Sequence, residues 1–161
     1  MTRFDEMLRR LVDGGVEFVL IGGVAAVAQG YNGSTLDFDL CPRFTPENLD
    51  RLVAAFRDVG LRFAPPSDRP VTERGADLVA YRFLAWRTDL GRVDVIKEVP
   101  PLGTFEAVAA HSDRIELYSR SCLVLGLDGL IAVKEHLSRD KDKLMLPALR
   151  ALKALRERGG R

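Results

Sequence analysis

The chain has 161 residues, of which 47% are hydrophobic, and its formal net charge at pH 7 is +1. We therefore expect one domain over residues 1–161, with enough apolar side chains to form a core without a disulfide or a structural metal. The balanced charge does not suggest a protein that coats a polyanion and mildly disfavours a long nucleic acid as partner, although it allows a local basic site.

Two features bear on the compartment. Cys41 and Cys122 lie in apolar, strand-like segments without metal-ligand spacing, which is typical of buried, reduced thiols. The apolar run 18–28 is too short to span a bilayer, and the segment before it is acidic rather than basic, unlike a signal sequence. We therefore expect a cytoplasmic protein with no membrane partner.

The first part of the chain is predicted to alternate helices with strands. Apolar residues recur at helical spacing over 4–13, and Gly14 ends that helix. Thr45 is a typical N-cap, with Pro46 at the first helical position. In chain order, the predictions are a helix over 4–13, a strand over 17–21, a helix over 24–29, a strand over 35–41 and a helix over 46–59.

The second part is predicted to contain several strands and then two helices. The predictions are strands over 61–64, 78–86 and 92–96, a hairpin turn over 88–91, a helix over 104–110, strands over 114–117 and 122–125, and helices over 127–137 and 143–157. Tyr81 and Phe83 share a face of the strand over 78–86 and are expected in the core rather than as a base-stacking platform. The last helix is expected to bury Leu144, Leu149, Leu152 and Leu155.

This order predicts an α/β (α+β) fold with a mixed β-sheet flanked by helices. The sheet and its helices would occupy about residues 16–126. A C-terminal helical part would follow over about residues 127–158.

Two aspartates, Asp37 and Asp39, lie two residues apart on a predicted strand, so both carboxylates would point to one face. Like charges placed together give a strand no structural gain. Such a pair suits a hard cation that prefers oxygen ligands. The alternative is an edge strand with a solvated polar face.

A third carboxylate, Asp94, interrupts a predicted interior strand in which Val93 and Val95 face the other side. On a strand adjacent to the aspartate pair, it would complete a site for two metal ions of the kind used in phosphoryl-type transfer. The alternative is an exposed salt bridge with Arg92 or Arg82.

A glycine pair, Gly22 and Gly23, joins a predicted strand to a helix. Glycines let the backbone approach a ligand closely, and a helix start offers free amide groups to a phosphate. The alternative is a tight turn that binds nothing.

Together these motifs resemble the nucleotidyltransferase superfamily that includes polymerase beta. Its pattern is a Gly-Gly or Gly-Ser turn at a helix start, then an Asp-x-Asp or Asp-x-Glu strand, then a distant third acidic residue. The closer resemblance is to the small prokaryotic branch that contains the abortive-infection nucleotidyltransferases of the AbiEii type. Members of that branch have Gly-Gly-x-Ala, a glycine, and then Arg-x-Thr-x-Asp-x-Asp.

The matching residues here run from Gly22 to Ala25, then Gly30, and then from Gly33 to Asp39. The segments 127–134 and 139–142 are similar to the branch's lysine-bearing helix and its Arg-x-Lys-Asp turn. The resemblance therefore covers about residues 16–155.

The resemblance implies magnesium-dependent transfer of a nucleoside monophosphate from a nucleoside triphosphate such as ATP to a hydroxyl acceptor. The acceptor would be a small molecule, a protein or an RNA end. Asp37 and Asp39 would bind metal and triphosphate, and Asp94 would act on the catalytic metal and the incoming hydroxyl, with two Mg²⁺ ions. Gly22 and Gly23 would hold the phosphates.

Further residues follow from the same resemblance. Thr35 would place a hydroxyl near the phosphates, and Lys134 and Lys141 would neutralise phosphate charge. Arg139 and Asp142 would pair and lock the helix turn. For these late residues the alternative is a solvated helical face.

One departure from the branch is Gly33, which stands where its members have an arginine four residues before the first aspartate. Triphosphate binding would then need another cation, and Arg43, Arg82 and Arg92 are candidates. The departure motivates an alternative function: a catalytically inactive protein of this fold that acts as a binding partner, for example in a toxin–antitoxin pair or as a homodimer. A third possibility is a domain whose carboxylates form only salt bridges.

Overall fold

The computed structural model describes residues 2–159. The strands are β1 (Phe18–Ile21), β2 (Phe38–Pro42), β3 (Arg62–Phe63), β4 (Phe83–Thr88), β5 (Gly91–Ile96), β6 (Ser112–Leu117) and β7 (Arg120–Leu125). The helices are α1 (Phe4–Asp13), α2 (Gly22–Ala28), α3 (Pro46–Phe56), α4 (Gly75–Leu78), α5 (Phe105–Ala110), α6 (Leu127–Leu137) and α7 (Asp140–Gly159), with a 3₁₀ turn over Arg57–Val59.

The strands form one mixed sheet in the order β3-β4-β5-β2-β1-β7-β6. Helices pack against it and two of them close the chain, which confirms the predicted fold class. Strand β2 runs antiparallel to β1 and parallel to β5, with Ile21 opposite Asp39 and Asp39 opposite Asp94. Because side chains alternate along a strand, Val93 and Val95 enter the core while Asp94 faces the other way.

Helix α3 begins as its sequence predicts. The Thr45 hydroxyl accepts a hydrogen bond from the Asn48 backbone amide, with Pro46 at the first helical position. The side chain of Asn48 is fully buried and hydrogen-bonds with the backbone of Glu17 and of Arg43. It thereby fixes the start of α3 to the beginning of β1 and to the end of β2.

The predicted strand over 78–86 begins later than expected. Residues Gly75–Leu78 form α4, with Leu78 buried at its end, and β4 begins only at Phe83. Within β4, Leu84 and Trp86 point into the core. The side chains of Tyr81 and Phe83 are 37% and 49% exposed, so placing them in the core was wrong.

The last helix also differs from its prediction. It begins at Asp140, before the predicted start, and its buried stripe consists of Asp142, Leu146 and Leu149. Leu144 and Leu155 are 81% and 61% exposed, so their predicted burial was wrong. The buried residues follow helical spacing from Asp142, whereas the prediction followed the leucines alone.

The far end of α7 is held by a buried glutamine. Arg156 donates hydrogen bonds to the side-chain oxygen of Gln29, at 2.7 Å, and to its carbonyl oxygen, at 2.8 Å. The Gln29 side-chain amide in turn donates to Asp113 and to the carbonyl of Leu125. The end of α2, the pair β6–β7 and α7 are therefore joined through Gln29, which we call the Gln29 junction.

The thiols are as predicted. Cys41 and Cys122 are buried and unbridged, and burial raises the pKa of these thiols to about 12 and about 11. Over residues 2–159, no helix has both the length and the apolar character needed to cross a membrane.

Candidate functional site

The centre of the candidate site is a pair of carboxylates on neighbouring strands. Asp39 on β2 and Asp94 on β5 occupy the same register position, so their side chains share one face of the sheet. The two side chains lie close enough for the negative charge of Asp94 to act on Asp39. Arg92 donates a hydrogen bond to Asp94 at 2.9 Å, which is one of the two ion pairs anticipated as an alternative.

The environment of Asp39 disfavours its negative charge. Burial, then the negative charges of Asp94 and Asp37, raises the pKa of Asp39 to about 7. Its Oδ1 atom is buried and has no hydrogen-bond partner among the described residues. A buried carboxylate oxygen that lacks a donor and lies beside a second carboxylate is suited to a cation.

Gly22 allows the backbone to approach Asp39. It adopts a left-handed conformation with φ +67°, and an added Cβ would overlap the Asp39 carboxylate. A Cβ on the next residue, Gly23, would lie 2.8 Å from the hydroxyl oxygen of Thr35. The glycine pair is therefore required by the packing around the carboxylates, and a plain tight turn does not explain both contacts.

Asp37 lies just before β2 rather than on it, because the strand begins at Phe38. The strand therefore begins at Phe38 rather than at the predicted residue 35, although Asp37 and Asp39 line the same cavity. The Thr35 hydroxyl bonds locally, accepting from the Asp37 amide at 3.2 Å and donating to the Asp37 carbonyl at 3.3 Å. Asp37 is exposed, although its charge acts on Asp39.

Two carboxylates, rather than the predicted three, are therefore arranged as ligands for a metal ion. Within residues 2–159, no group of three or more His, Cys, Asp or Glu side chains is arranged as a set of metal ligands. Asp39 and Asp94, with the unpartnered Asp39 oxygen, fit one hard cation. Asp37 lines the same cavity as these two carboxylates.

The late helices place cations at the same site. Lys134 on α6 donates to Asp142 at 3.1 Å, and Arg139 donates to the same carboxylate at 2.6 Å. These bonds, Arg139 first, hold the pKa of the fully buried Asp142 well below its usual range. Lys141 is exposed and makes no ion pair or side-chain hydrogen bond within the described residues.

A cavity of about 560 Å³ connects these groups. The glycine pair, Thr35 and the three aspartates line one side, and Lys134, Arg139 and Lys141 line another. The cavity also has an apolar wall, which was not predicted because most of its residues look like ordinary apolar positions of three helices, α2, α6 and α7. The wall consists of Val27, Tyr31, Leu130, Val133, Leu137 and Met145.

The cavity therefore combines an acidic end, a cationic side and an apolar wall. Of the arginines considered as substitutes for the missing one, Arg43 pairs with Glu17 and Glu106, and Arg92 pairs with Asp94. Neither arginine lines the cavity. The cations that line it come from α6, from α7 and from the turn between them.

Comparison with models of known protein families finds no match, and no curated protein matches the sequence. Several solved structures are similar in three dimensions. A proposed nucleotidyltransferase from Thermotoga maritima has a TM-score of 0.53 at 15% identity, over 98% of this chain and 94% of that one. The lincosamide antibiotic adenylyltransferase LnuA, with lincomycin bound, has a TM-score of 0.59 at 12% identity, over 94% of this chain and 98% of that one. The chain thus has the fold of these nucleotidyltransferases.

Proposed function

We propose that the protein is a magnesium-dependent nucleotidyltransferase that transfers a nucleoside monophosphate from a nucleoside triphosphate to a hydroxyl acceptor. The observation that carries the proposal is the pair Asp39 and Asp94, side by side on the sheet and against the left-handed Gly22. Charge repulsion and an unpartnered oxygen make this arrangement costly for the protein alone. A bound cation would remove both costs.

In the proposed reaction, the acceptor oxygen attacks the α-phosphorus of the triphosphate. The bond from that phosphorus to the oxygen bridging to the β-phosphate breaks, and pyrophosphate leaves. Asp94 accepts the acceptor's proton. Magnesium, held by Asp39 and Asp94 and joined by Asp37, would supply positive charge against the phosphate oxygens when bound.

The remaining contacts of the donor follow from the cavity. The backbone at Gly22 and Gly23, which lines the cavity beside Asp39 and Thr35, binds the phosphates. Lys141 and Lys134 offset the phosphate charge from the opposite side, and the nucleobase packs on the apolar wall. Because LnuA is an adenylyltransferase, ATP is the donor to test first.

The test is calorimetric titration of ATP, GTP, CTP and UTP, with and without magnesium, into the wild type and into Asp39→Asn and Asp94→Asn. Asp58→Asn is the matched control, because Asp58 is an exposed carboxylate that does not line the cavity and is paired with Arg10. We expect magnesium-dependent binding that both site variants lose and the control keeps. Binding that survives in both site variants would reject the proposal.

A second candidate function is that of a binding partner without catalysis, in a toxin–antitoxin pair or a homodimer. Gly33 in place of an arginine favours it, as does a group of exposed apolar side chains near that residue. Val27, Leu36 and Tyr118 are 40%, 75% and 60% exposed. If no triphosphate binds in the titration above, this candidate replaces the first, and light scattering of the protein then tests for a dimer.

A further inference from the structure

Three arginines stand in a row across the sheet beside the candidate site. Arg62 on β3 is directly opposite Arg87 on β4, which is directly opposite Arg92 on β5. Their side chains are 39%, 49% and 49% exposed. Like charges directly opposite one another destabilise a sheet, so the row has no structural benefit of its own.

The row is only partly neutralised. Asp68 pairs with both Arg62, at 3.3 Å, and Arg87, at 2.8 Å, while Arg92 pairs with Asp94. Two carboxylates therefore serve three guanidinium groups, and one of those carboxylates belongs to the site. Because the two pairs that Asp68 makes are exposed, they contribute little stability, and Arg62 and Arg87 can bind another anion.

An exposed aromatic ring lies on the same face. Ala85 is directly opposite Asp94, and Phe83 is two residues further along β4, opposite Ile96. Residues directly opposite in an antiparallel pair share a face, so Phe83 lies on the face that carries Asp94. Along β4, the arginine row and Phe83 lie about 7 Å on either side of Ala85.

The strand order separates the two substrates. The glycine pair follows β1, Asp39 is on β2, Asp94 is on β5 and Ala85 is on β4, and these four strands are adjacent in that order. If the donor phosphates lie at the glycine pair, the other side of Asp94 is the face of β4, on which Phe83 and Arg87 are about half exposed. The acceptor therefore approaches over the face that carries the arginine row and Phe83.

We propose that the acceptor is a nucleoside phosphate, with its base on Phe83, its phosphate on the arginine row and its ribose hydroxyl at Asp94. A guanidinium group can bind a phosphate through two parallel hydrogen bonds. Any of the four bases can stack on an aromatic ring. This inference rests on the proposed function, because it takes the donor side from it. The net charge of +1 describes the whole chain and is compatible with a local basic site such as the arginine row.

The test measures acceptor binding without catalysis. A ten-nucleotide single-stranded RNA, labelled with fluorescein at its 5′ end and free at its 3′ hydroxyl, is titrated with protein in EDTA and followed by anisotropy. EDTA removes magnesium-dependent binding at the donor cavity. Unlabelled AMP serves as competitor, so that a strand end and a single nucleotide are distinguished.

We expect Phe83→Ala and Arg87→Ala each to weaken binding about tenfold. Arg87→Ala should also lower the slope of log affinity against log salt by about 1. Asp68→Asn should strengthen binding, because it frees two arginines. Arg9→Ala is the matched control, since its side chain is 47% exposed and ion-paired on α1, and it should change nothing.

The outcomes separate the two proposals. If AMP displaces the labelled RNA, and Phe83→Ala and Arg87→Ala weaken this displacement, the acceptor is a small nucleotide. If the RNA binds and AMP does not displace it, the acceptor is a strand end. Equal losses for Arg9→Ala and Arg87→Ala, or no binding of either ligand, would overturn the inference. If magnesium ATP still binds in that case, the proposed function stands, whereas the absence of ATP binding removes its basis.

Discussion

Replacing Asp39 by asparagine should stabilise the protein while abolishing triphosphate binding. Burial and the neighbouring carboxylates raise the pKa of Asp39 from 3.8 to about 7. At pH 8 the ionised side chain therefore costs the folded state up to about 4 kcal/mol relative to the unfolded chain. Since asparagine leaves a polar amide in a partly buried position, we expect a net gain of about 2 kcal/mol.

The pH dependence of this gain has a defined sign. A carboxyl group whose pKa is raised by folding supports the folded state below the unfolded pKa, and this support is lost as the pH rises through the folded pKa. The advantage of Asp39→Asn should therefore be largest above pH 7 and shrink toward zero near pH 4.

Thermal unfolding followed by calorimetry measures the effect. A gain of about 2 kcal/mol corresponds to a rise in Tm of about 4 to 8 °C for a chain of this size. Adding magnesium at pH 8 should raise the Tm of the wild type and leave that of Asp39→Asn unchanged. A variant that unfolds at a lower temperature than the wild type at pH 8 would refute the argument, as would a difference that does not depend on pH.

Three further substitutions test separate parts of the structure. Asp142→Ala should cost about 3 to 5 kcal/mol in urea unfolding, because it leaves Lys134 without its carboxylate in a largely buried position. Gly22→Ala should cost about 1 to 2 kcal/mol for the left-handed backbone, and its added methyl should displace the Asp39 side chain and abolish ATP binding in calorimetric titration. Arg156→Ala should cost about 1 to 3 kcal/mol and speed hydrogen exchange in α7, because the buried Gln29 loses its partner.

Each of these substitutions has a matched control. Gly60 has φ +69° and a neighbouring aspartate but lies outside the cavity, so Gly60→Ala should cost stability and leave ATP binding intact. Asp140→Ala and Arg150→Ala change exposed groups on α7 and should have little effect. If the controls destabilise as much as the tested variants, the named contacts are not the cause.

The sequence predicted most of the helices and strands because their signals are local. The cap at Thr45, the glycine turns and the alternation around Asp94 each involve a few neighbouring residues. The position of Asp94 beside Asp39 also followed, but only through a resemblance to a known pattern. The pairing of β2 with β5, which produces it, is a contact between strands more than 50 residues apart.

Other features depended on contacts that no local pattern contains. Asp37 looked like a strand residue, yet it lies in the irregular segment before β2, where its backbone hydrogen-bonds with the Thr35 hydroxyl. Phe83 is an apolar residue of the kind expected in a core, but it lies on the open face of the sheet. Side chains alternate along β4, and Trp86 and Leu84 occupy the buried face. The arginine row escaped notice since its members come from three separate strands.

The shared register of β2 and β5 has a consequence for how the site is built. A shift of β5 by one residue against β2 would turn Asp94 into the core and bring Val93 and Val95 to the surface. A wrong register between β2 and β5 is thus unfavourable because it would expose the two buried valines to water. The burial of Val93 and Val95 therefore also keeps Asp39 and Asp94 opposite each other. Substitutions that replace these valines by less apolar residues should disturb the position of Asp94 before they unfold the protein.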